Sequence, residues 1–490
     1  MNLQDGKILN FINGQFFEPQ SGNFIETINP ATGLVLAQVP DSDDADLDIA
    51  ISTAKDAFPE WRDMGAERRL EILYNLADLM DKNLEAFIEA EVNDNGMTRS
   101  FARNVEVPRG AANFRAFADS ALKYCGDEFF GNDMAEGYIR REPVGIVGTI
   151  SPWNLPLLLF TWKIAPALAA GNCVIAKPSE VTPLTAYLLS TLISDAGFPK
   201  GVLNILHGTG PKIGAAITAH PDIARLSFTG STATGKMIGM KAAENFKKPP
   251  MLEMGGKNPS LVFDDADFEK AVDGVCRAAF SNQGQICLCG SRIYVQKELY
   301  DDFKMALIER IESIKIGDPL DETTEHGATV SKEHMEKVLG CIELAKSEGG
   351  TILCGGGRVS VEGRCKDGYF VAPTLIEGVA NSSRTNQEEI FGPVATIQPF
   401  ESEEDAIRLA NESTYGLAAT IWTEDLDKAM RVANKLETGM PWINCWNLRV
   451  LETPFGGYKN SGNAHREGAP DALEFFTEKK TITSPKRSAA

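Results

Sequence analysis

Between residues 144 and 228, short apolar runs rich in β-branched residues alternate with helix-forming stretches. The runs are Val144-Gly-Ile-Val-Gly-Thr-Ile150, Cys173-Val-Ile-Ala176, Gly201-Val-Leu-Asn-Ile-Leu206 and Arg225-Leu-Ser-Phe228, with helix candidates at 157–170 and 183–196. Strands that are apolar along their whole length are buried on both faces, and parallel neighbours need a crossover between them. A doubly wound parallel sheet is therefore the expected core. Ligands bind beyond the carboxyl ends of such strands. The kinked loop Ser151-Pro-Trp153-Asn154-Leu-Pro156, which follows the first run, is accordingly a place to look for a site.

Around this core the patterns differ. Short strands with Asn-Gly and Asn-Pro turns are expected near 11–16 and 26–33. Leu70, Leu73, Leu76, Met80, Leu84 and Phe87 recur at spacings of three and four, which predicts one amphipathic helix. Further helices are expected through 109–123, and an exposed strand over 136–142. Past residue 250, Leu252-Glu253-Met-Gly-Gly256 sets a carboxylate beside a glycine turn. Strands near 258–263, 292–295, 394–400, 416–422 and 442–445, with helices at 267–280 and from 300 and 332, predict a second α/β unit over about 255–455. The tail, 473–483, reads as a helix end and a β-prone arm that needs a partner edge, as does 124–142.

The formal net charge of -20 argues against a nucleic-acid partner. Nine scattered cysteines fit a reduced compartment, and Cys287-Leu-Cys289 is too tight for the usual zinc spacing, so no metal is expected. With neither a signal pattern nor an apolar run of membrane length, the expected location is the cytoplasm, away from membranes. Gly208-Thr-Gly210-Pro-Lys-Ile-Gly214 departs from a dinucleotide fingerprint by one residue. Gly230-Ser231-Thr-Ala-Thr-Gly-Lys236 lacks the hydroxyl that would hold magnesium in a triphosphate loop. Both keep the succession of strand, small residues and helix start that suits an anion.

The stretch Phe280-Ser-Asn-Gln-Gly284-Gln-Ile-Cys287-Leu-Cys289 places a cysteine between a polar run and an apolar one. A reachable thiol there can serve as a nucleophile. A free cysteine is nevertheless more often a small buried hydrophobe, so the remaining machinery has to come from elsewhere.

Seven motifs supply it in order: Pro152-Trp-Asn154, Lys177-Pro-Ser-Glu180, Phe228-Thr-Gly-Ser231, Leu252-Glu253-Met-Gly-Gly-Lys-Asn-Pro259, Gln283-Gly-Gln-Ile-Cys287, Glu389-Ile-Phe391-Gly-Pro393 and Pro454-Phe455-Gly-Gly457. On these the chain resembles the NAD(P)-dependent aldehyde dehydrogenase superfamily nearly end to end. The resemblance implies an α/β protein with a Rossmann-like doubly wound NAD-binding domain (1–123 and 143–254), a second α/β catalytic domain (255–465) and small β oligomerisation arms (124–142 and 466–490). It implies Cys287 as nucleophile, Asn154 with the Cys287 amide as oxyanion donors, and Glu253 as the base that activates water. NAD is the implied cofactor, with Lys177 and Glu180 on the adenosine ribose, Ser231 on the pyrophosphate, Glu389 and Phe391 on the nicotinamide side, and Trp153 and Gly210 lining the groove. Glu180 favours NAD over NADP, because a carboxylate repels a 2'-phosphate.

Within the superfamily, Ser151-Pro-Trp-Asn-Leu-Pro-Leu157, Ile286-Cys-Leu-Cys289 and Asn444-Cys-Trp-Asn-Leu-Arg449 resemble the branch acting on 2-aminomuconate and 2-hydroxymuconate 6-semialdehydes, in aromatic or tryptophan catabolism. The partner implied is a small aldehyde with a distant carboxylate, met by Arg449 and Arg109, with Trp162 and Phe455 in the same pocket. A homodimer or homotetramer is implied as well. Gly284 is expected to leave room for the cofactor and for the backbone at Cys287. Cys289 is read as a pocket or strand residue. The loop 461–468 is one residue longer than the family's turn, and His465 within it is read as a surface residue.

Overall fold

The computed structural model describes residues 5–244, 250–463 and 465–486. A seven-stranded sheet runs in the order Pro250–Glu253, Ile223–Thr229, Ile146–Ile150, Cys173–Lys177, Leu203–Ile205, Asn10–Ile12, Gln15–Phe17. The first five strands are parallel and the last two antiparallel. Their registers align the carboxyl ends: Glu253 lies opposite Thr229, Phe228 opposite Ile150, and Ile150 opposite Lys177. One rim of the sheet therefore carries the loops that begin at Ser151, Pro178, Gly230 and Met254. The helix Pro156–Ala169 is buried along its whole length except at Leu158, as its apolar composition requires.

A second seven-stranded sheet runs in the order Thr351–Cys354, Thr374–Glu377, Val394–Phe400, Arg292–Gln296, Pro259–Val262, Ala418–Trp422, Met440–Ile443, with only Thr351–Cys354 antiparallel to its neighbour. The two arms find each other. Thr477–Pro485 pairs antiparallel with Ala135–Pro143, which pairs with Glu128–Gly131. This small sheet leaves Phe129 and Met134 exposed. Residues 1–4 and 487–490, at the ends of the expected first domain and second arm, lie outside the described residues.

Several sequence expectations change. The helix expected from Leu70 to Phe87 breaks at Asn83, between Ala66–Lys82 and Leu84–Asn95. There the Asn83 side chain donates to the Leu79 carbonyl at 2.8 Å, and competition of this kind ends a helix. The helix expected over 183–196 is two, Leu184–Ser190 and Ile193–Ala196, with Ser190 and Thr191 hydroxyls bonded to carbonyls three residues back. A strand absent from the expectation, Leu34–Pro40, pairs with Phe24–Asn29. Pro250–Glu253 is an edge strand, so Glu253 closes a strand as well as opening a glycine turn. Among the described residues no helix is long and apolar enough to cross a membrane.

Candidate active site

A cavity of about 240 Å³ opens where loops that follow strands of the first sheet meet loops that precede strands of the second. The first sheet contributes Trp153, Asn154 and Ser231; the second contributes Cys287, Glu389 and Phe391. Six of the residues singled out in the sequence thus share one space.

The loop carrying Cys287 is held open by its backbone. Asn282, Gln283 and Gly284 take positive φ in succession (48°, 55° and 67°), a conformation costly for residues other than glycine. A Cβ at Gly284 would lie 2.1 Å from the Gly392 carbonyl oxygen. Gly284 therefore serves the close approach of the Glu389–Pro393 turn. Asn258 donates to the carbonyls of both Cys287 (2.8 Å) and Cys289 (2.9 Å), and the Trp446 indole donates to Leu288 O at 2.9 Å. Cys289 is buried in the turn ahead of the strand, its amide bonded to Ile286 O, so it is not a strand residue.

The Asn154 Nδ2 donates to Gln285 O at 2.8 Å, which orients the amide and leaves its second N–H unspent. The Cys287 amide donates to no group among the described residues. The Cys287 side chain is half-buried. Burial, with Glu389, Cys289 and Glu253 adding to it, pushes the thiol well above its usual range, while Arg449 pulls the other way.

Glu253 is 2% exposed, and neither carboxylate oxygen has a protein partner among the described residues. Burial first and Glu467 second hold it well above the carboxylate range. Glu467 pairs with Lys163 at 2.6 Å, both deeply buried, and Lys163 also donates to Ser227 Oγ at 3.1 Å. The segment 455–467 folds back on itself through reciprocal Phe455 and Glu467 amide bonds. A Cβ at Gly456 would stand 2.7 Å from Glu253 Oε1. Asn463 ties the longer loop to the Glu253 strand, donating to Pro250 O at 2.7 Å; Ala464 lies outside the described residues. His465 is half-buried and packs edge-on against Phe475, with centroids 5.0 Å apart, so the reading of a surface histidine is corrected.

Arg109, Trp162, Arg449 and Phe455 form a second cluster. The Arg109 and Arg449 guanidiniums lie 5.8 and 5.7 Å from the Trp162 ring, and Arg449 lies 4.3 Å from the Phe455 ring. Neither arginine has a carboxylate within ion-pair distance among the described residues, although Glu106 acts electrostatically on Arg109, and Glu467 and Glu253 on Arg449. Burial lowers both to about 10, and Arg449 adds to the lowering at Arg109. Arg449 and the Cys287 thiol also act on each other electrostatically.

At the opposite end, Lys177 Nζ meets Glu180 Oε2 at 2.9 Å, and Glu180 Oε1 accepts the Gly210 amide at 3.1 Å. Burial works to raise Glu180, but Lys177 and these amides outweigh it and hold the carboxylate below its ordinary range. Ser231 caps the helix Thr232–Ala243 through the Thr234 amide. Glu389 Oε1 accepts the Gly256 amide at 2.9 Å, and a Cβ at Gly255 would overlap its carboxylate. The groove thus offers paired ribose-type acceptors, a helix start and an aromatic end, a donor set that fits a dinucleotide.

Comparisons with known proteins identify the family. The family model described as the aldehyde dehydrogenase family matches residues 16–482. The chain belongs to the aldehyde dehydrogenase family. It is 47% identical to the 2-aminomuconic semialdehyde dehydrogenase of Danio rerio, over 97% of each chain. It is 46% identical to the 2-hydroxymuconic semialdehyde dehydrogenase of Pseudomonas sp. (strain CF600), over 97% of this chain and 99% of that one. The structure of the aldehyde dehydrogenase from Bacillus cereus in complex with NAD+ superposes with a TM-score of 0.94 at 40% identity, covering 99% of this chain and 97% of that one.

The structure of this family member also brings forward residues that the sequence reading did not single out. His334 and Lys337 line the main cavity. The His334 ring stands 4.9 Å from that of Trp153, and its Nε2 meets Phe391 O at 2.6 Å, which fixes a residue whose φ is +60°. The only local signal was a histidine on the inner turn of a helix. Asn258, Lys163 and Glu467 gave no signal apart from their place in or near the motifs. Gly210 does not line the cavity that holds Cys287, and neither do Lys177, Glu180, Glu253 or the cluster around Trp162; the Gly210 amide bonds to Glu180.

Proposed function

We propose that this aldehyde dehydrogenase family member oxidises a carboxylate-bearing aldehyde to the corresponding acid with NAD, and that its substrate is a muconate 6-semialdehyde of the 2-aminomuconate or 2-hydroxymuconate type. The observation that carries the substrate class is the pair of guanidiniums, Arg109 and Arg449, flanking Trp162 with no ion pair of their own among the described residues. A planar, conjugated chain matches the Trp162 face, and a far carboxylate supplies the missing counter-charge.

In this reading Cys287 first gives its thiol proton to water, and the resulting thiolate adds to the aldehyde carbon to form the thiohemiacetal oxyanion. The free N–H of Asn154 and the Cys287 amide receive the oxyanion, each such donor contributing about 3 kcal/mol. Bound NAD supplies the carbon that accepts hydride. Glu253 takes a proton from the water that cleaves the thioester, and Gly456 leaves it room to move. Lys177 and Glu180 hold the adenosine ribose, Ser231 and its helix the pyrophosphate, and Glu389, Phe391 and Trp153 the nicotinamide end. His334 and Lys337 belong to the same groove.

We assign residues 1–123 and 143–254 to cofactor binding, 255–465 to catalysis and the arms to assembly of a homodimer or homotetramer in the cytoplasm. The exposed Phe129 and Met134 on the arm sheet support the assembly role. The deciding experiment is a spectrophotometric NADH assay on Cys287→Ala over a panel of aldehydes with and without a terminal carboxylate. The variant is expected to lose at least about 10³-fold in kcat while keeping its NAD affinity. Retained turnover would overturn the reading, and an intact enzyme indifferent to the carboxylate would overturn the substrate class.

A further inference from the structure

Away from the reacting atoms, two buried carboxyl groups converge on the start of the helix Pro156–Ala169. Glu91 Oε1 accepts the Leu157 amide at 3.0 Å, and Glu106 Oε1 accepts the Leu158 amide at 2.9 Å. Both side chains are 0% exposed. Two carboxylates so placed cannot both ionise cheaply, and a neutral carboxyl still accepts through its carbonyl oxygen. Burial raises Glu91 to about 8; burial and then Glu91 raise Glu106.

The elements behind them are specific. Glu91 and Asn95 stand one turn apart on the helix Leu84–Asn95, and Asn95 Nδ2 donates to Trp153 O at 2.8 Å. One helical face thus grips the loop around Asn154 at both ends. Glu106 ends a π-helical turn, Ala102–Glu106, immediately ahead of the helix Val107–Tyr124. Glu106, Arg109 and Asn113 follow at helical spacing. Arg109 reaches the Trp162 ring, and Asn113 donates to Leu158 O and Thr161 Oγ1 at 3.0 Å each. The two helices approach so closely that a Cβ at Gly110 would lie 2.9 Å from Leu157 Cγ. Such π-turns recur at functional sites because they re-aim a side chain out of helical register.

We propose that Glu91 and Glu106 are positioning residues for the oxyanion hole: together they clamp the first free amides of the Pro156–Ala169 helix and so fix the Asn154 amide against the Cys287 loop. The inference rests on the reading of Asn154 as oxyanion donor. It separates a role in rate from a role in folding, because an effect exerted through Asn154 disappears when Asn154 is absent.

The test is a double-mutant cycle of Glu106→Asp and Asn154→Ala, assayed with an uncharged aliphatic aldehyde so that Arg109 does not enter. Glu106→Asp withdraws the acceptor by one methylene and is expected to lower kcat about tenfold with KM little changed. Glu106→Gln keeps an acceptor oxygen and is expected to stay within about threefold of the unmodified enzyme. In the Asn154→Ala background, Glu106→Asp is expected to change kcat by less than about twofold. An unchanged kcat in Glu106→Asp, or the same loss with and without Asn154, would overturn the inference. Unchanged kcat in Asn154→Ala alone would remove the oxyanion reading and the inference with it, and that result is distinct because it appears in a variant that leaves the clamp intact. If Glu106→Asp does not fold, Glu91→Asp runs the same cycle from the Leu157 amide, with the same two outcomes.

Discussion

The two ends of the site treat charge in opposite ways. At the end proposed to hold the cofactor, charged groups meet protein partners: Lys177 meets Glu180, Glu180 accepts the Gly210 amide, and Glu389 accepts the Gly256 amide. At the end proposed to take the aldehyde, neither Glu253 oxygen has a protein partner among the described residues, and two arginines stand together with carboxylates near enough to act on them but none within ion-pair distance. Pairing within the protein keeps a groove in shape whether or not it is filled. A buried group without a partner is costly and is retained where a ligand or a reaction step uses it. On the proposed reading, the first end holds a constant ligand and the second responds to one.

Glu253 offers the hardest test of that contrast. Glu253→Gln is expected to lower steady-state kcat by about 10²–10³-fold while leaving the first turnover, so that rapid mixing shows a burst of NADH followed by slow release. The pH dependence has a definite sign. Burial and Glu467 raise the acid, so its base form gains population only as pH climbs above the usual carboxylate range, and kcat of the intact enzyme should rise with pH over that limb. The limb should vanish in Glu253→Gln. A variant with slow turnover, no burst and an unaltered pH limb would show that the unpartnered carboxylate does not serve the hydrolytic step.

The arginines come next in size. Arg449→Ala is expected to reduce kcat/KM for a carboxylate-bearing semialdehyde by about 10²-fold, the worth of a partly buried charge-assisted pair, and for an uncharged aldehyde by no more than about threefold. Arg109→Ala should cost less, because Arg109 meets one aromatic ring, that of Trp162, whereas Arg449 also meets Phe455 and acts on the Cys287 thiol. Equal losses for both aldehydes would make Arg449 a packing residue for Phe455 and Trp162 and would collapse the distinction between the two ends.

The same asymmetry explains what the sequence revealed. Alternating apolar runs exposed the first sheet, and the rule that ligands sit beyond carboxyl ends led directly to Trp153 and Asn154. The second half of the site comes from loops ahead of strands, where that rule is silent, so Glu389 and Phe391 were legible only through motif resemblance, and Cys287, a candidate from its local run, found its partners only there. The edge strand Pro250–Glu253 is too short to show a period, which hid the reason Glu253 reaches the rim. The break at Asn83 depends on one side-chain bond that periodicity does not register. Glu91, Glu106 and Asn258 act on backbone atoms distant in sequence, and nothing local to them announces those partners.

The smallest effect is expected at the end whose charges are already paired. Glu180→Gln keeps an acceptor for a ribose hydroxyl but removes the charge that faces Lys177, leaving that cation free to attract a 2'-phosphate. NAD affinity should fall only a few-fold, because the acceptor survives, whereas the preference for NAD over NADP should shrink by about tenfold, roughly 1.4 kcal/mol. Competition binding with the two cofactors measures the ratio directly. If both affinities change by the same factor, the charge of Glu180 is spent on holding Lys177 and the Gly210 turn in place. The cofactor end would then owe its selectivity to shape, and the contrast with the aldehyde end would be sharper still.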